Sequence, residues 1–230
     1  MTKSITKYLF EFIVIFFGIS VSFQFDKYNQ EIQKKNLKNQ SLNRILKNIQ
    51  VDMNDLVFNL NIHTIGIESI NWILDNYSNE KIDRVKFGKE LTNSIFSNTI
   101  FVDNQEEYRS LQNSGLIEKI ENDSLVYNLQ NKYSSHFFYK KIEEGITNLI
   151  NDRLMNFHYK NSISEDSITS TLDFINNGRI YVGEFPLERN IVEILKDKKM
   201  YHHFYVERIK GRMKRDSILL KQIKEEIDLE

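Results

Sequence analysis

An apolar run just inside the N-terminus, from Tyr8 to Phe25, constrains this chain more than any other feature. The run reads YLFEFIVIFFGISVSFQF and contains one acid, Glu11, and one amide, Gln24. A helix of that length extends about 27 Å at roughly 1.5 Å per residue, which is enough for a thin bilayer core. We therefore expect a membrane anchor at residues 8–25, preceded by a basic flank at 1–7 and followed by a soluble helical domain at 26–230.

Two other interpretations of this run stay open. A cleaved secretory signal would use Lys3 and Lys7 as its basic region and Ser20–Ser22 as small residues near the cleavage site. A buried core helix is the third interpretation. Retention as an anchor is favoured because the run is longer than a usual signal core, because Glu11 interrupts it, and because the polar sequence after Phe25 continues as helix.

The orientation of the anchor is not decided by charge alone. Lys3 and Lys7 favour a cytoplasmic N-terminus, although basic residues also follow the run, at Lys27, Lys34, Lys35, Lys38 and Arg44. A long following domain weakens the influence of its own charges on topology. The chain has no cysteine, which suits the periplasm. We expect the N-terminus inside and the domain outside.

Composition indicates an all-α domain. One proline and eight glycines in 230 residues are few, as expected where helices dominate and turns are rare. Sixteen phenylalanines and eleven tyrosines supply ample material for a core. A net charge of −1 creates no field that would attract nucleic acid, so we predict no nucleic-acid partner.

The strongest pattern after the anchor is a heptad seam. Its positions are spaced alternately by four and three residues: Leu42, Leu46, Ile49, Met53, Leu56, Leu60, His63, Ile67, Ile70 and Leu74. The register extends backwards through Ile32, Tyr28 and Phe25. This pattern predicts one long helix that leaves the membrane and continues to about Asn76. It is typical of an antiparallel bundle, and a self-associating coiled coil is the alternative.

Further helices are predicted downstream. A short helix covers Lys86–Phe96 and an extended link covers Thr99–Asp103. Asp103 is placed to cap a helix over Asn104–Asn113, with Glu106 at capping-box distance. Gly115 provides the left-handed C-cap of that helix.

The second half of the domain is predicted to contain two long helices. One opens at Asn122-Asp123 and runs to Phe157, and the last runs from Glu188 to Leu229. Between them we expect a polar surface loop at 160–170, a turn at 176–178 and an extended segment at 179–185 that ends at Pro186.

Two stretches together resemble a known bacterial family. The first is the anchor, with Glu11, Gly18 and Gln24. The second is EYRSLQNSGLIEKIENDSLVYNLQNKY, from Glu107 to Tyr133. This combination is similar to domain of unknown function 6090, a family of single-pass membrane-anchored proteins from Bacteroidota. The chain departs from the family at the exit from the anchor, where Tyr28–Glu31 replaces an Asn-Trp-Asn-Glu cluster. The resemblance implies a retained anchor and a helical domain, and it brings no catalytic residues.

Four residues of the anchor are candidates for membrane-helix association. An acid in hydrocarbon is costly, so Glu11 is expected at the headgroup level beside Lys7, or against a partner helix. Gly18 and Ser22 form a small-xxx-small pair that lets two helices approach closely. Gln24 adds a polar group near the exit of the span.

No catalytic, cofactor or metal site is predicted. The five histidines, His63, His136, His158, His202 and His203, show no recognised ligand spacing. The chain also has no glycine-rich phosphate loop and no GxSxG elbow. A basic patch at residues 208–215 is read as a solvated face balanced by Glu207 and Asp216, with contact to anionic lipid headgroups as the alternative.

These observations predict an all-α protein, in which an N-terminal single transmembrane helix continues into a long-helix antiparallel bundle. The expected function is that of a membrane-anchored scaffold or interaction protein without catalytic activity. Its expected partners are membrane lipid and either a second copy or another membrane protein. Together with the bacterial resemblance, this places the anchor in the inner membrane and the domain in the periplasm. A sensory or ligand-binding helical bundle is the alternative, and an enzyme comes third.

Overall fold

The computed structural model describes residues 2–164 and 179–228, and side chains are described from residue 7 onwards except at 151–152. The α-helices are α1 (Thr2–Asn76), α2 (Arg84–Phe96), α3 (Glu106–Asn113), α4 (Asp123–Ser134), α5 (His136–Leu149), α6 (Met155–Asn161) and α7 (Arg189–Asp228). A 3₁₀ turn covers Leu116–Lys119 and a π-helical turn covers Ile150–Leu154. Two short strands are β1 (Ser162–Ile163) and β2 (Ile180–Tyr181). The predicted all-α class is confirmed at this level.

Helix α1 is continuous from Thr2 to Asn76, as the heptad pattern predicts. Its N-terminal part has an 18-residue window of mean hydropathy 1.8, none of which is buried by the rest of the chain. By length and composition it is the one helix in the described residues that can cross a membrane. Residues 26–37, which we call the stalk, are also exposed, and burial begins at Lys38. One ion pair reaches the stalk from the bundle, between Glu31 Oε2 and Lys119 Nζ at 2.6 Å.

The bundle is built around α1 and α7, which run antiparallel. Lys38 near the start of the bundle meets Glu226 near the end of α7, and His63 further along α1 meets His202. Helix α2 packs on the far half of α1, and α4 and α5 pack along α7. The predicted antiparallel arrangement is therefore present, and the heptad seam of α1 is covered by the same chain.

The buried face of α1 is rotated from the predicted seam. With Leu46 at heptad position a and Leu42 at d, the d positions are fully buried, whereas Leu46, Met53 and Leu60 at a are only partly buried. The other buried row is position g, which recurs every seven residues at Lys38, Ile45, Asp52, Asn59, Gly66 and Ile73. Half of this row is polar, which is why an apolar pattern does not reveal it.

The bundle contains two hydrophobic cores. The proximal core lies nearer the anchor and consists of Leu42, Ile45, Ile49, Tyr108, Leu111, Ile120, Leu125, Leu129, Tyr133, Leu219 and Ile223. The distal core is larger and brings together residues of α1 from Leu56 to Ile73, Phe87, Leu91 and Ile95 of α2, the buried side chains of α5 and α6, and α7 up to Ile209. A polar layer separates the two cores.

The helix predicted from residue 122 to Phe157 is interrupted. Asn122 caps α4 by accepting the Leu125 amide, as expected, but α4 ends at Ser134 and a π-helical turn follows α5. At the break the Ser135 hydroxyl donates to the Lys132 carbonyl and competes with the helical pattern. The interruption lets α4 pack on the proximal core and α5 on the distal core.

The prediction that Asp103 caps the next helix is wrong. Helix α3 begins at Glu106, its N-cap is Gln105, and no side-chain capping bond forms there. The Asp103 carboxylate is instead buried and bound by Arg212 and His136. The ion pairs of Asp103 with Arg212 and His136, which are distant in sequence, form in place of a local capping bond. The C-cap prediction is confirmed, since Gly115 has a φ of 70°.

The two strands form an antiparallel pair in which Ser162 lies opposite Tyr181 and Ile163 opposite Ile180. This pair confirms part of the extended segment predicted at 179–185. It lies directly on α2, because a Cβ added at Gly88 would overlap the Arg179 carbonyl oxygen. Helix α7 matches the predicted final helix. The turn predicted at 176–178 and residues 165–170 of the predicted loop lie outside the described residues.

Candidate functional site

The four candidate residues for membrane-helix association lie on the exposed N-terminal part of α1. Glu11 Oε1 is 3.9 Å from Lys7 Nζ, and both side chains are exposed. The Ser22 hydroxyl donates to the Gly18 carbonyl at 3.0 Å. A Cβ added at Gly18 would meet no atom within 4 Å. The structure therefore brings these residues together only with their own helical neighbours and leaves their outward face open.

A charge layer divides the two cores. It consists of Asp52, Asp103, Lys132, His136, Arg212 and Asp216, all buried except the half-buried His136. On α1, Asp52 lies between Ile49 of the proximal core and Leu56 of the distal core. On α7, the layer falls between Ile209 of the distal core and Leu219 of the proximal core. The layer thus fixes the register between α1 and α7.

Two buried cations hold the three acids of the layer. Lys132 Nζ lies 3.0 Å from Asp52 and 2.9 Å from Asp216, so it joins α1 to α7 through α4. Arg212 donates to Asp103 at 3.0 Å and lies 3.6 Å from Asp216.

Aromatic rings and a histidine complete the surroundings of the Arg212–Asp103 pair. The guanidinium of Arg212 lies over the rings of Phe101 and Tyr139, at 4.6 and 5.2 Å from their centroids. His136 Nδ1 is 2.6 Å from the remaining oxygen of Asp103. Each acid of the layer therefore has a cationic partner on another segment.

At the acids of the charge layer, burial raises the pKa of the carboxyl group, whereas nearby cations lower it. Burial raises the pKa of Asp52 above its usual value, and the nearby ammonium of Lys132 only partly offsets this. At Asp103 burial also acts to raise the pKa, but Arg212, Gln105 and His136 outweigh it, so the pKa is lowered. The layer therefore holds Asp103 ionised more firmly than Asp52.

A second buried polar group, the histidine pair, lies in the distal core. His63 Nδ1 and His202 Nδ1 are 2.8 Å apart, and the Thr99 amide donates to His63 Nε2 at 3.3 Å. The ring centroids of Tyr205 and His63 are 4.3 Å apart. Burial lowers the pKa of His63 to about 4, and it lowers the pKa of His202 further, aided by the charge of Lys198. Both rings are therefore neutral at pH 7.

Two further buried groups tie loops to the bundle. Lys198 Nζ, which is fully buried, donates to the carbonyls of Ser94 and Ile95 at the end of α2, and burial lowers the pKa of Lys198 to about 7. Glu143 accepts the Phe101 amide at 2.8 Å and the Tyr205 hydroxyl at 2.6 Å. These contacts hold the linker between α2 and α3 in place.

The sequence did not reveal these groups. His202 is buried, whereas the adjacent His203 is exposed. The pairing of His63 with His202 depends on the antiparallel register of α1 and α7, which no local spacing encodes. Within the described residues, no group of three or more His, Cys, Asp or Glu side chains is arranged to hold a metal ion.

The basic patch on α7 differs from the predicted solvated face. Arg212 and Asp216 are buried in the charge layer, whereas Lys210 pairs with Glu207 at the surface as expected. Arg208 lies between the rings of Phe138 and Phe204. The patch also lies far from the apolar run, since Asp52 at the same level is 27 residues beyond Phe25, or roughly 40 Å of helix.

Two open clefts lie on the surface beside the charge layer. One, of about 430 Å³, is lined by Val51, Asp52, Val102, Asp103, Asn104, Gln105, Glu106, Arg109 and His136. The other, of about 350 Å³, is lined by Gln105, Tyr108, Arg109, Gln112, Gln130, Tyr133 and Ser134. They share Gln105 and Arg109, and charges of both signs face the first cleft. A small polar molecule would fit the first cleft by size and by charge.

Comparisons with known proteins give no relative: no family model, no curated protein and no solved structure matches the chain. The resemblance to domain of unknown function 6090 accordingly stays a prediction.

Proposed function

We propose that this protein is a membrane-anchored helical scaffold that acts by binding other proteins at the membrane and catalyses no reaction. The observation that carries the proposal is the form of α1. One helix has a bare apolar segment at its N-terminal end and a fully packed bundle at the other, with an exposed stalk between them. A continuous helix of this kind holds the domain at a set distance from the bilayer.

The interior of the domain supports a structural role. Buried charged groups form ion pairs across segments, as in the Lys132 and Arg212 pairs of the charge layer. Buried ion pairs are weak contributors to net stability, but they penalise wrong registers because a displaced partner leaves an unpaired charge. We infer that the layer serves to keep the bundle in one rigid register.

For the localisation we propose the inner membrane of a bacterium, with the N-terminus inside and the bundle in the periplasm. The basic flank at Lys3 and Lys7 supports this orientation. A cysteine introduced at Ser78, between α1 and α2, tests it, because the chain has no other cysteine. In intact cells with a permeable outer membrane, a membrane-impermeant maleimide should label Ser78→Cys. Labelling only after lysis would contradict the orientation.

The scaffold function is tested by affinity purification from native membranes. We expect the wild-type chain to recover a second tagged copy or another membrane protein, and we expect the Glu11→Ala variant to lose it. Glu225→Ala, a change of an exposed acid far from the anchor, is the matched control. Equal recovery with both variants would remove the anchor from the interaction, and no recovery with the wild type would contradict a scaffold.

A sensory or ligand-binding bundle is the second candidate, and the cleft of about 430 Å³ beside the charge layer favours it. Asp103 and His136 belong to both the cleft and the layer, so a molecule bound there would contact groups that are coupled to α7 through Arg212. Charges of both signs suit a zwitterion. A panel of free amino acids should then raise the unfolding temperature of the wild type and not of His136→Ala.

A further inference from the structure

We propose that the chain forms a parallel dimer with a second copy of itself through one stripe of α1, which runs along the anchor and the stalk. This inference rests on the proposed membrane anchor and names the partner. The stripe is the backward extension of heptad positions a and d: Glu11, Val14, Gly18, Val21, Phe25, Tyr28 and Ile32. It excludes the Leu42–Leu74 seam, which the chain's own helices already cover.

The stalk carries the strongest part of the argument. Phe25, Tyr28 and Ile32 are exposed by 64%, 65% and 41%. At 3.6 residues per turn they lie within about 60° of one another on the helix surface. Tyr28 and Ile32 lie beyond the apolar run, where lipid tails cannot cover them. An apolar row in water that continues the register of a packed seam is typical of a helix–helix contact.

Of the four anchor residues singled out by the sequence, two lie on the stripe and two lie at its opposite edges. Glu11 and Gly18 are at position a, while Ser22 is at e and Gln24 at g, which flank the seam. Gly18 has open space around its Cα, so a second backbone can approach there. The membrane and aqueous parts therefore present one continuous surface.

A second copy suits this surface better than an unrelated helix because the membrane fixes its direction. Two copies inserted in the same orientation can only pair in parallel, which places each stripe residue opposite itself. In that register the flanking g and e′ positions place Gln24 opposite Asn29 and Glu31 opposite Asn36, so no like charges meet at these flanking positions. The Glu31 carboxylate already lies 2.6 Å from Lys119 of its own chain. Glu11 faces the Glu11 of the second copy, and the Lys7 ammonium, 3.9 Å from Glu11 within each chain, offsets the two like charges.

The stripe ends where the bundle begins. Positions d and a become Lys35 and Asn39, and the bundle then covers the adjacent face from Lys38 onwards. The dimer contact is therefore confined to the anchor and the stalk. The two bundles stand side by side and leave their outer surfaces available to other partners.

Single-cysteine crosslinking of the full chain in native membranes tests the dimer. The chain has no cysteine, so Tyr28→Cys and Ile32→Cys each introduce one thiol on the stripe. Gln30→Cys is the matched control, because it lies on the same stalk, is also exposed, and points about 160° away from both. After brief oxidation we expect several-fold more dimer from positions 28 and 32 than from position 30. Equal yields at all three, or no dimer at any, would overturn the proposal.

A second variant tests the part of the stripe inside the membrane. In the Tyr28→Cys background, Gly18→Leu should separate the two helices and lower the yield of crosslinked dimer several-fold. Ile19→Leu, one residue away and off the stripe, should leave the yield unchanged. If Gly18→Leu has no effect, the anchor does not belong to the contact. Crosslinking is scored only on chain that sediments with membranes, so absence from the membrane pellet contradicts the anchor, whereas a pelleted chain without crosslinks contradicts only the dimer.

Discussion

Lys38 and Glu226 form a buried ion pair of 2.9 Å, although 188 residues separate them in the sequence. The Glu226 carboxylate also accepts the backbone amides of Glu121 and Asn122 at 2.9 and 3.2 Å. One carboxylate therefore joins the first helix, the last helix and the start of α4 at the end of the bundle that faces the stalk. The position where α1 leaves the bundle is fixed by this contact.

Glu226→Ala should destabilise the bundle strongly. The change removes the carboxylate 2.9 Å from the buried ammonium of Lys38, and breaking a buried pair in this way costs about 3–5 kcal/mol. The measurement is chemical denaturation of the detergent-solubilised chain. Glu225→Ala removes the neighbouring exposed acid and should change the free energy of unfolding little. Similar effects from both variants would contradict the role of Glu226.

Arg212→Ala should have an effect of similar size through the charge layer. Asp103 would keep only His136 and Gln105 as side-chain partners, and the desolvated carboxylate would lose its main cation. A double-mutant cycle with Asp103→Ala should give a coupling energy of roughly 1–3 kcal/mol. Lys210→Ala, on the exposed side of the same helix, serves as the control. Strict additivity of Arg212→Ala and Asp103→Ala would show that the pair is not coupled.

The histidine pair predicts a loss of stability in mild acid. The pKa of His63 is lowered to about 4, whereas an unfolded histidine titrates near 6.5. The unfolded state therefore binds more protons below pH 6.5, and the free energy of unfolding falls as the pH drops from about 6.5 to about 4. For His63 alone the loss is on the order of 3 kcal/mol.

Comparing unfolding temperatures at about pH 7.5 and about pH 5 tests this prediction. The acid-induced decrease should be smaller in His202→Gln, because Gln does not titrate. The exposed neighbour His203→Gln should behave like the wild type. If His202→Gln shows the full wild-type decrease, the pair is not the source of the acid sensitivity.

Two glycines should respond in opposite directions to alanine. Gly88→Ala places a Cβ on the Arg179 carbonyl and must displace the segment before β2, so we expect destabilisation by about 1–3 kcal/mol. Gly211→Ala meets only the flexible end of Arg215 at 3.4 Å and raises helix propensity, which should stabilise α7 by up to about 1 kcal/mol. Thermal denaturation distinguishes these outcomes. A stabilising Gly88→Ala would contradict the close packing of β2 on α2.

The sequence predicted the helices well because their signals are local. The apolar run, the heptad spacing from Leu42 to Leu74, the Asn122 cap and the Gly115 C-cap all act within a few residues, and all appear in the structure. The seam also indicated correctly that α1 packs in the bundle from Leu42 to Leu74. What it did not indicate is the rotation of the buried face towards position g, because Lys38, Asp52 and Asn59 are polar.

The buried polar groups were not predictable for the same reason. Asp103 carries the local signature of a helix cap, yet Arg212, 109 residues away, binds it. Arg212 itself looked like part of a solvated basic patch. Only the antiparallel register of α1 and α7 determines which polar residues meet, and that register depends on the whole fold. The pairing of His63 with His202 is another consequence of it.

The central claim is that lipid surrounds residues 8–25 in the mature protein. Sodium carbonate extraction of membranes, followed by mass spectrometry of the intact chain, tests it most directly. We expect the full-length chain to stay in the membrane pellet and to be released only by detergent. A chain that begins near Phe23, or an intact chain that stays in the supernatant without detergent, would contradict the account.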